Sequence, residues 1–327
     1  MTAPTDGLTL LAANQPPQRR YLGGARIAEF RGLPAAGGGR TPEDWIASTT
    51  PLFGQHRLGL SELPDGRLLA AAIEADPLFW LGERHIARHG TDPRLLTKLL
   101  DTGQRLFVHA HPDDSFATRH GFANGKAEAW FMLTGGTVHL GLREPVSPAE
   151  LLRLAREQDT ERLLGLLNRV QVAAGDVVAV PPGVLHSIGA DLLLLELQQP
   201  ADLSILLEWQ GFPIDGAADG NLGLGLQVAI EAVQTEASRN LDELVRPAGY
   251  GVSVLPPVMD EFVRLERWAV DGRQQLEPGF GVLVVTAGNL AAGGQQLPRG
   301  SVGVLAHGAG DLSITGTGEL LVARPPR

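Results

Sequence analysis

Cysteine is absent from this sequence of 327 residues, which excludes disulfide scaffolds, thiolate zinc sites and cysteine nucleophiles. Any bound metal must therefore be held by His, Asp or Glu. Lysine is nearly absent too: only Lys98 and Lys126 occur, and the other 25 of 27 basic residues are arginine. Arginine cannot give up its proton, so the two lysines mark places where a compact or titratable ammonium matters. Positive charge is in deficit, with 27 basic against 37 acidic residues and a formal net charge of −10. A protein that displaces counterions from a nucleic-acid backbone needs the reverse, so no nucleic-acid partner is expected. Aromatic residues make up 5%, too few for a platform that stacks bases or polysaccharide. Long apolar runs are missing as well; Leu192–Leu195, for example, is stopped by Glu196. The first ten residues lack a basic region followed by an apolar segment, so neither a signal peptide nor a membrane partner is expected, and a cytoplasmic location is.

Glycine (41) and proline (23) are abundant without forming a low-complexity stretch, and they read as turns between many short strands. Thr41-Pro42-Glu43-Asp44 carries helix-start signals, and Asp76-Pro77 and Asp92-Pro93 repeat them. Glu128 to Leu140 reads as two strands around Gly135-Gly136. Ser147-Pro148-Ala149-Glu150 is a capping box that opens a leucine-rich helical segment ending near Leu167. Strands resume from Gln171 to Leu197, a second helical stretch is expected from Leu226 to Val245, and short strands with glycine turns follow Gly251. A weak repeat relates Phe131–Gly136 to Leu283–Gly288 and Gly175–Gly183 to Gly300–Gly308. The two offsets differ by about the length of the helical segment, so the C-terminal part reads as a second copy of one β unit without that insertion. The repeat aligns Phe280 with Glu128 and Asp311 with His186, so the second copy is expected to bind no metal.

The chemistry gathers around the histidines. His109 and His111 stand two apart in Phe107–Pro112, a spacing that puts both imidazoles on one face of a strand. Glu128 opens a later strand, and His186 ends the spaced element Gly175…Pro181-Pro182-Gly183-Val184-Leu185-His186. Three imidazoles and a carboxylate from adjacent strands suit Zn²⁺, Fe²⁺ or Mn²⁺. The remaining histidines, His56, His85, His89, His120, His139 and His307, are read as ordinary surface or core residues.

This pairing of H-x-H, a later Glu and G-x5-P-x-G-x2-H resembles the metal signature of the cupin superfamily. Within it the chain is most similar to the type I mannose-6-phosphate isomerases. The resemblance is carried by Tyr21–Gly24, Pro42–Trp45, Leu95–Asp101, His111–Asp114, Gly125–Trp130 and Pro181–Gly189. It implies an all-β fold of two cupin-type barrels with helical insertions. Residues 1–215 would form the catalytic unit, with its insertion at about 145–170, followed by a connector at 216–250 and a metal-free unit at 251–327. It also implies a Zn²⁺-dependent aldose–ketose isomerase acting on a small sugar or sugar phosphate through an enediol. One Zn²⁺, or another divalent metal, would be held per chain by His109, His111, Glu128 and His186. His109 stands where the family usually has glutamine. Glu196 is the first candidate for the proton-shuttling base and Lys126 the second, or an oxyanion stabiliser. Asp113 and Asp114 are read either as partners that orient the imidazoles or as turn caps. A homodimer is compatible with the resemblance.

Three departures bear on the substrate. The family's proposed catalytic arginine falls at Leu206, which cannot stabilise an enediolate, its serine near the substrate phosphate at Phe107, and its Asn-Ser pair at Pro200-Ala201. Lys98, Arg105 and Arg119 are the candidates to compensate as substrate-binding cations. The alternatives are an isomerase of an unphosphorylated sugar, an iron-dependent cupin oxygenase, and a non-catalytic sugar-binding protein.

Overall fold

The computed structural model describes residues 7–34 and 39–327. The first six residues, part of the stretch on which the leader reading rests, lie outside the described residues. In chain order the strands are β1 (Leu8–Leu10), β2 (Glu43–Ile46), β3 (Leu96–Thr102), β4 (His109–Ala110), β5 (Glu128–Met132) and β6 (Gly136–Leu142). They continue as β7 (Leu167–Val172), β8 (Asp176–Val180), β9 (His186–Ile188), β10 (Leu192–Gln198), β11 (Ile205–Leu206) and β12 (Val245–Pro247). The last are β13 (Arg264–Leu276), β14 (Gly281–Ala292), β15 (Gln295–Pro298), β16 (Val302–Leu305) and β17 (Leu312–Arg324). Helices are α1 (Ala25–Arg31), α2 (Leu69–Ala75), α3 (Pro77–Leu81), α4 (Glu83–His89), α5 (Asp114–Arg119), α6 (Pro148–Glu157) and α7 (Thr160–Leu166).

Three sheets organise the molecule. One runs β12-β8-β5-β10-β3-β2, a second β11-β4-β9-β6-β7, and a third β1-β16-β14-β17-β13 with β15 on β14. All their pairings are antiparallel, as expected for an all-β fold with helical insertions. In the first sheet, period-two alternation sorts the side chains. Leu100, Trp130, Met132, Val178, Val180, Leu192 and Leu194 form a core with Val138, Leu140 and Ile188 of the second sheet. These two sheets therefore enclose the interior of the first unit. The intervening residues Leu99, Ala129, Phe131, Val177, Ala179, Leu195 and Leu197 face outward and pack on Val282, Val284, Val302, Val304, Leu321 and Ala323 of the third sheet. Leu151, Leu154, Ala155 and Leu163 of α6–α7 cover the outer face of the second sheet, against Val108, Ala110, Leu142, Leu185, Ile205 and Leu207.

The repeat reappears as topology. The run β12-β8-β5-β10-β3 has its counterpart in β1-β16-β14-β17-β13. Phe131 pairs with Val177, and its repeat mate Leu283 pairs with Gly303, one residue from the aligned Val302. In the second unit the strands are long (13, 12 and 13 residues for β13, β14 and β17), so one continuous sheet carries its own apolar cluster, with Leu283 and Val285 from one half of β14 and Leu290 and Ala292 from the other. The pairings cross the expected boundaries, because β1 joins the second unit while β12, from the connector, joins the first.

Local signals were read correctly where a helix had room to form. Ser147 accepts from the Glu150 backbone N–H at 3.2 Å and Asp76 from that of Phe79 at 3.1 Å, each capping a helix with proline in its first turn. Three helix expectations fail. Thr41–Asp44 leads into strand β2 because Glu43 and Asp44 are both buried and need fixed partners. Glu43 accepts from the Tyr21 hydroxyl (2.7 Å), Arg19 Nε (2.9 Å) and Trp45 Nε1 (2.7 Å), while Asp44 accepts from the Asn14 backbone and pairs with Arg31. Asp92-Pro93 makes a turn instead, the Asp92 carboxylate accepting from the Arg94 N–H at 2.8 Å just before β3. Leu226–Val245 holds only one short α-turn and two 3₁₀ turns. Between them Gln234, Thr235 and Ser238 make backbone hydrogen bonds to Gly183, Val146 and Leu142, so the segment is held extended along the first unit. No helix among the described residues is long and apolar enough to cross a membrane.

Candidate metal centre and active site

His109 and His186 are register partners across β4 and β9, and His111 follows β4 on the same face two residues on. Their ring centroids lie 4.0 Å (His109–His186), 4.9 Å (His109–His111) and 4.9 Å (His111–His186) apart. One ligand atom from each lies within 4.8 Å of the others, and all three residues are buried. Each Nδ1 is fixed by a backbone carbonyl: His109 by Phe107 (3.0 Å), His111 by Leu203 (2.7 Å), His186 by Val184 (2.9 Å). A carbonyl can only accept, so the proton sits on Nδ1 and every Nε2 presents a lone pair.

Those lone pairs face Glu128. Its Oε2 lies 3.0 Å from His111 Nε2 and its Oε1 lies 3.2 Å from His186 Nε2. Imidazole nitrogens in this tautomer and a carboxylate are all acceptors, and His186 Nε2 is buried without a hydrogen bond. Converging buried acceptors with so few donors fit a divalent cation by the chemistry of the donor set. Burial pushes the His109 and His111 imidazoles down, His111 to about 4, and the Lys126 ammonium adds to the effect at His111. They are thus neutral near pH 7, as metal ligands must be. Burial alone would raise the Glu128 carboxyl, but the Lys126 ammonium holds it well below the usual carboxylate range.

Lys126 Nζ lies 2.8 Å from Glu128 Oε2, 3.2 Å from His111 Nε2 and 3.5 Å from Glu196 Oε1. Glycine at 125 makes this placement possible, because a Cβ there would sit 2.4 Å from the Pro112 carbonyl oxygen. Burial pushes the Glu196 carboxyl up to about 7, reinforced by the Glu128 charge and opposed by Lys98 and Lys126. Glu128, Lys126, Glu196 and His109 all line one narrow cavity of about 60 Å³. That is room for a few waters, so a sugar enters only if side chains at the mouth give way.

Lys98 lines the same cavity, as the sequence suggested. It is 3% exposed, makes no ion pair within 4.0 Å among the described residues, and stands 4.5 Å over the Trp45 ring. Arg105 and Arg119 do not line this cavity. Arg105 is spent on Glu208 in a two-pronged pair (2.8 Å at Oε2), with Ser187 and the Leu106 carbonyl completing its bonds. Arg119 lies on α5, bonded to Ser115 Oγ at 2.8 Å, and borders a separate hollow. Asp113 and Asp114 do not touch the imidazoles. Asp113 caps α5 through the Phe116 N–H, and Asp114 accepts from the Gly125 N–H and Gln199 Nε2.

Sequence reasoning missed Arg19, which lines the cavity together with Tyr21, Glu43 and Asp202. Glu43 holds Arg19 Nε, while its two terminal nitrogens have no hydrogen-bond partner among the described residues. Tyr21 and Glu43 fell inside motifs that carried the resemblance. Arg19 was one arginine among 25, with nothing local to mark it.

The fold and site together define a two-unit β protein with a buried three-histidine, one-carboxylate centre in its first unit. No protein-family model matches the chain. It is a relative of the mannose-6-phosphate isomerase of Bacillus subtilis, 26% identical over 94% of this chain and 96% of that one. A mannose-6-phosphate isomerase from Streptococcus mutans is 28% identical over 59% of this chain and 60% of its own. Among solved structures, the B. subtilis mannose 6-phosphate isomerase superposes with a TM-score of 0.73 over 97% of this chain and 99% of that one, at 22% identity. The apo mannose 6-phosphate isomerase of Salmonella typhimurium gives a TM-score of 0.74 over 98% and 100%, at 17% identity. The resemblance read from the motifs thus extends along nearly the whole chain, and the fold is shared.

Proposed function

We propose that the protein is a metal-dependent aldose–ketose isomerase that interconverts mannose 6-phosphate and fructose 6-phosphate. The observation that carries this reading is the meeting, in one cavity, of His109 and Glu128, which belong to the three-imidazole centre, with Lys126, Glu196, Lys98 and Arg19. The relatives' names supply the substrate class. His109, His111, Glu128 and His186 would hold one Zn²⁺, or another divalent metal, which when bound supplies Lewis acidity toward the substrate oxygens. The chain's own groups do the rest. Glu196 removes the proton from C2 of the open-chain aldose and returns it to C1, while a second proton passes from O2 to O1. Lys126 donates toward the oxygen that gains negative charge in the enediolate. Lys98 and the free terminal nitrogens of Arg19 hold the phosphate at the far end, where Phe107 stands in the position of the family's serine. Leu206 is buried beside His109 as its register partner and offers no charge.

Two variants test these roles. Glu196→Gln keeps the shape and removes the base, so kcat should fall about 10²–10⁴-fold with little change in KM. Arg19→Gln should raise KM for mannose 6-phosphate by about tenfold or more, with Arg19→Lys restoring part of it. A wild-type enzyme that turns over mannose as well as its 6-phosphate would favour the unphosphorylated-sugar reading instead.

A further inference from the structure

A second cavity, about 510 Å³, shares no lining residue with the histidine cavity and lies between the helical pair α3–α4 and the second β unit. Its size is that of a pocket for a small organic ligand, about 300–1,000 Å³. Its charge is the opposite of the molecule's. The chain carries ten more acidic than basic residues, yet five arginines line this cleft against the two acidic side chains Glu266 and Glu277 and the main-chain carboxylate of Arg327.

The arginines come from facing walls. On α4, Arg84 and Arg88 stand one turn apart, with His85 and His89 beside them at the same spacing. On the opposite wall are Arg264 of β13 and Arg324 of β17. Arg324 is accounted for: it is 3% exposed, pairs with Glu266 at 3.0 Å and bonds the Gly279 and Glu277 carbonyls. Arg84 and Arg264 pair with no carboxylate among the described residues. Arg88 bonds the main-chain carboxylate of Arg327, the last residue, which an incoming anion would have to displace, and Arg264 meets only the Pro325 carbonyl. His89 Nε2 is buried in the same wall without a hydrogen-bond partner.

The helical wall is rigidly placed. Gly82 joins α3 to α4 at φ +79°, and a Cβ there would lie 2.5 Å from the His307 ring of the second unit. Only glycine lets α4 approach so closely and turn its basic face into the cleft. Like charges that outnumber their counterions repel one another, and a concave wall mainly of one sign focuses its field into the space between. An anion in that space relieves the repulsion.

We infer that this cleft is a binding site for a small molecule carrying at least two phosphate groups, one taken by Arg84 and Arg88 and the other by Arg264. Guanidinium forks match phosphate oxygens in pairs, and the proline-lined edges at Pro278 and Pro325 leave room for an uncharged portion of the ligand. The site is separate from the sugar cavity and does not depend on the isomerase reading.

Calorimetric titration of the metal-loaded protein at low salt with inorganic pyrophosphate, ATP and fructose 1,6-bisphosphate tests this. At least one should bind at one per chain. The exposed double variant Arg84→Glu/Arg88→Glu should weaken it by about tenfold or more, as should added salt. The variant's circular dichroism and its KM for mannose 6-phosphate should stay unchanged. Arg264→Gln, on the other wall, should weaken the same ligand independently. Failure of all three probes to bind would overturn the inference. So would binding undiminished in the α4 variant, because the anion would then be seated elsewhere, the sugar cavity included.

Discussion

At the scale of single residues, the histidine centre follows from strand parity. H-x-H places two imidazoles on one face, and the antiparallel pairing of His109 with His186 brings in the third. That much was legible because period-two alternation is a local property. The substrate end was not. Arg105 looked available until its partner, Glu208, came from 103 residues further along. Arg19 looked ordinary until Glu43, on an edge strand, aimed it into the cavity. Asp202 belongs to this end too. Burial would raise its carboxyl, but Arg19 and Lys98, the Phe53 N–H and the more distant Lys126 lower it to about 2, with Glu43 the opposing charge nearby. A carboxyl lowered on folding contributes stability above its unfolded pKa, and that contribution is lost as pH falls from about 4 toward 2. Asp202→Asn keeps an acceptor for Phe53 while removing the charge. Urea unfolding should show the wild type ahead of this variant at pH 6, with the gap closing by pH 2–3; a gap independent of pH would contradict the assignment.

At the scale of elements, the legible ones carried their own punctuation. Ser147 and Asp76 cap helices whose apolar faces lie against the sheets. Thr41-Pro42-Glu43-Asp44 carries the same punctuation, yet its two acids are tied to Arg19, Tyr21 and Arg31 inside the protein, and edge pairing with β3 wins over local propensity. The segment from 226 to 245 fails as a helix for a related reason, since its backbone donors are claimed by loops of the first unit. The helical insertion has a mechanical role. Leu154 is fully buried against the strands β4 and β11, behind the histidines. Leu154→Ala should cost about 2–5 kcal/mol of stability. Metal stoichiometry at saturating zinc should remain one per chain, because the ligands themselves are untouched; equilibrium unfolding and metal analysis of the variant check both halves.

At the scale of the whole molecule, two β units of related strand order are joined back to back through an apolar layer. The repeat was faint in sequence because the copies differ where function differs. The counterpart of Glu128 is Phe280, buried in the shared layer, and the counterpart of the second sheet is the lengthening of β13, β14 and β17. With so much apolar surface shared, the units should unfold in one transition. A ligand bound only to the native state raises stability by about 4 kcal/mol at a thousandfold excess over Kd. Chelation should therefore lower the single melting midpoint, read by calorimetry. Two separate transitions, only one of them metal-sensitive, would show that the layer does not couple the units.

The central claim is metal-dependent isomerisation at the histidine centre, and proton NMR of mannose 6-phosphate with metal-loaded protein tests it most directly. The account predicts that fructose 6-phosphate appears, that chelation stops it, and that added zinc restores it. No conversion by protein shown to carry one metal per chain, or conversion indifferent to the chelator, would contradict it.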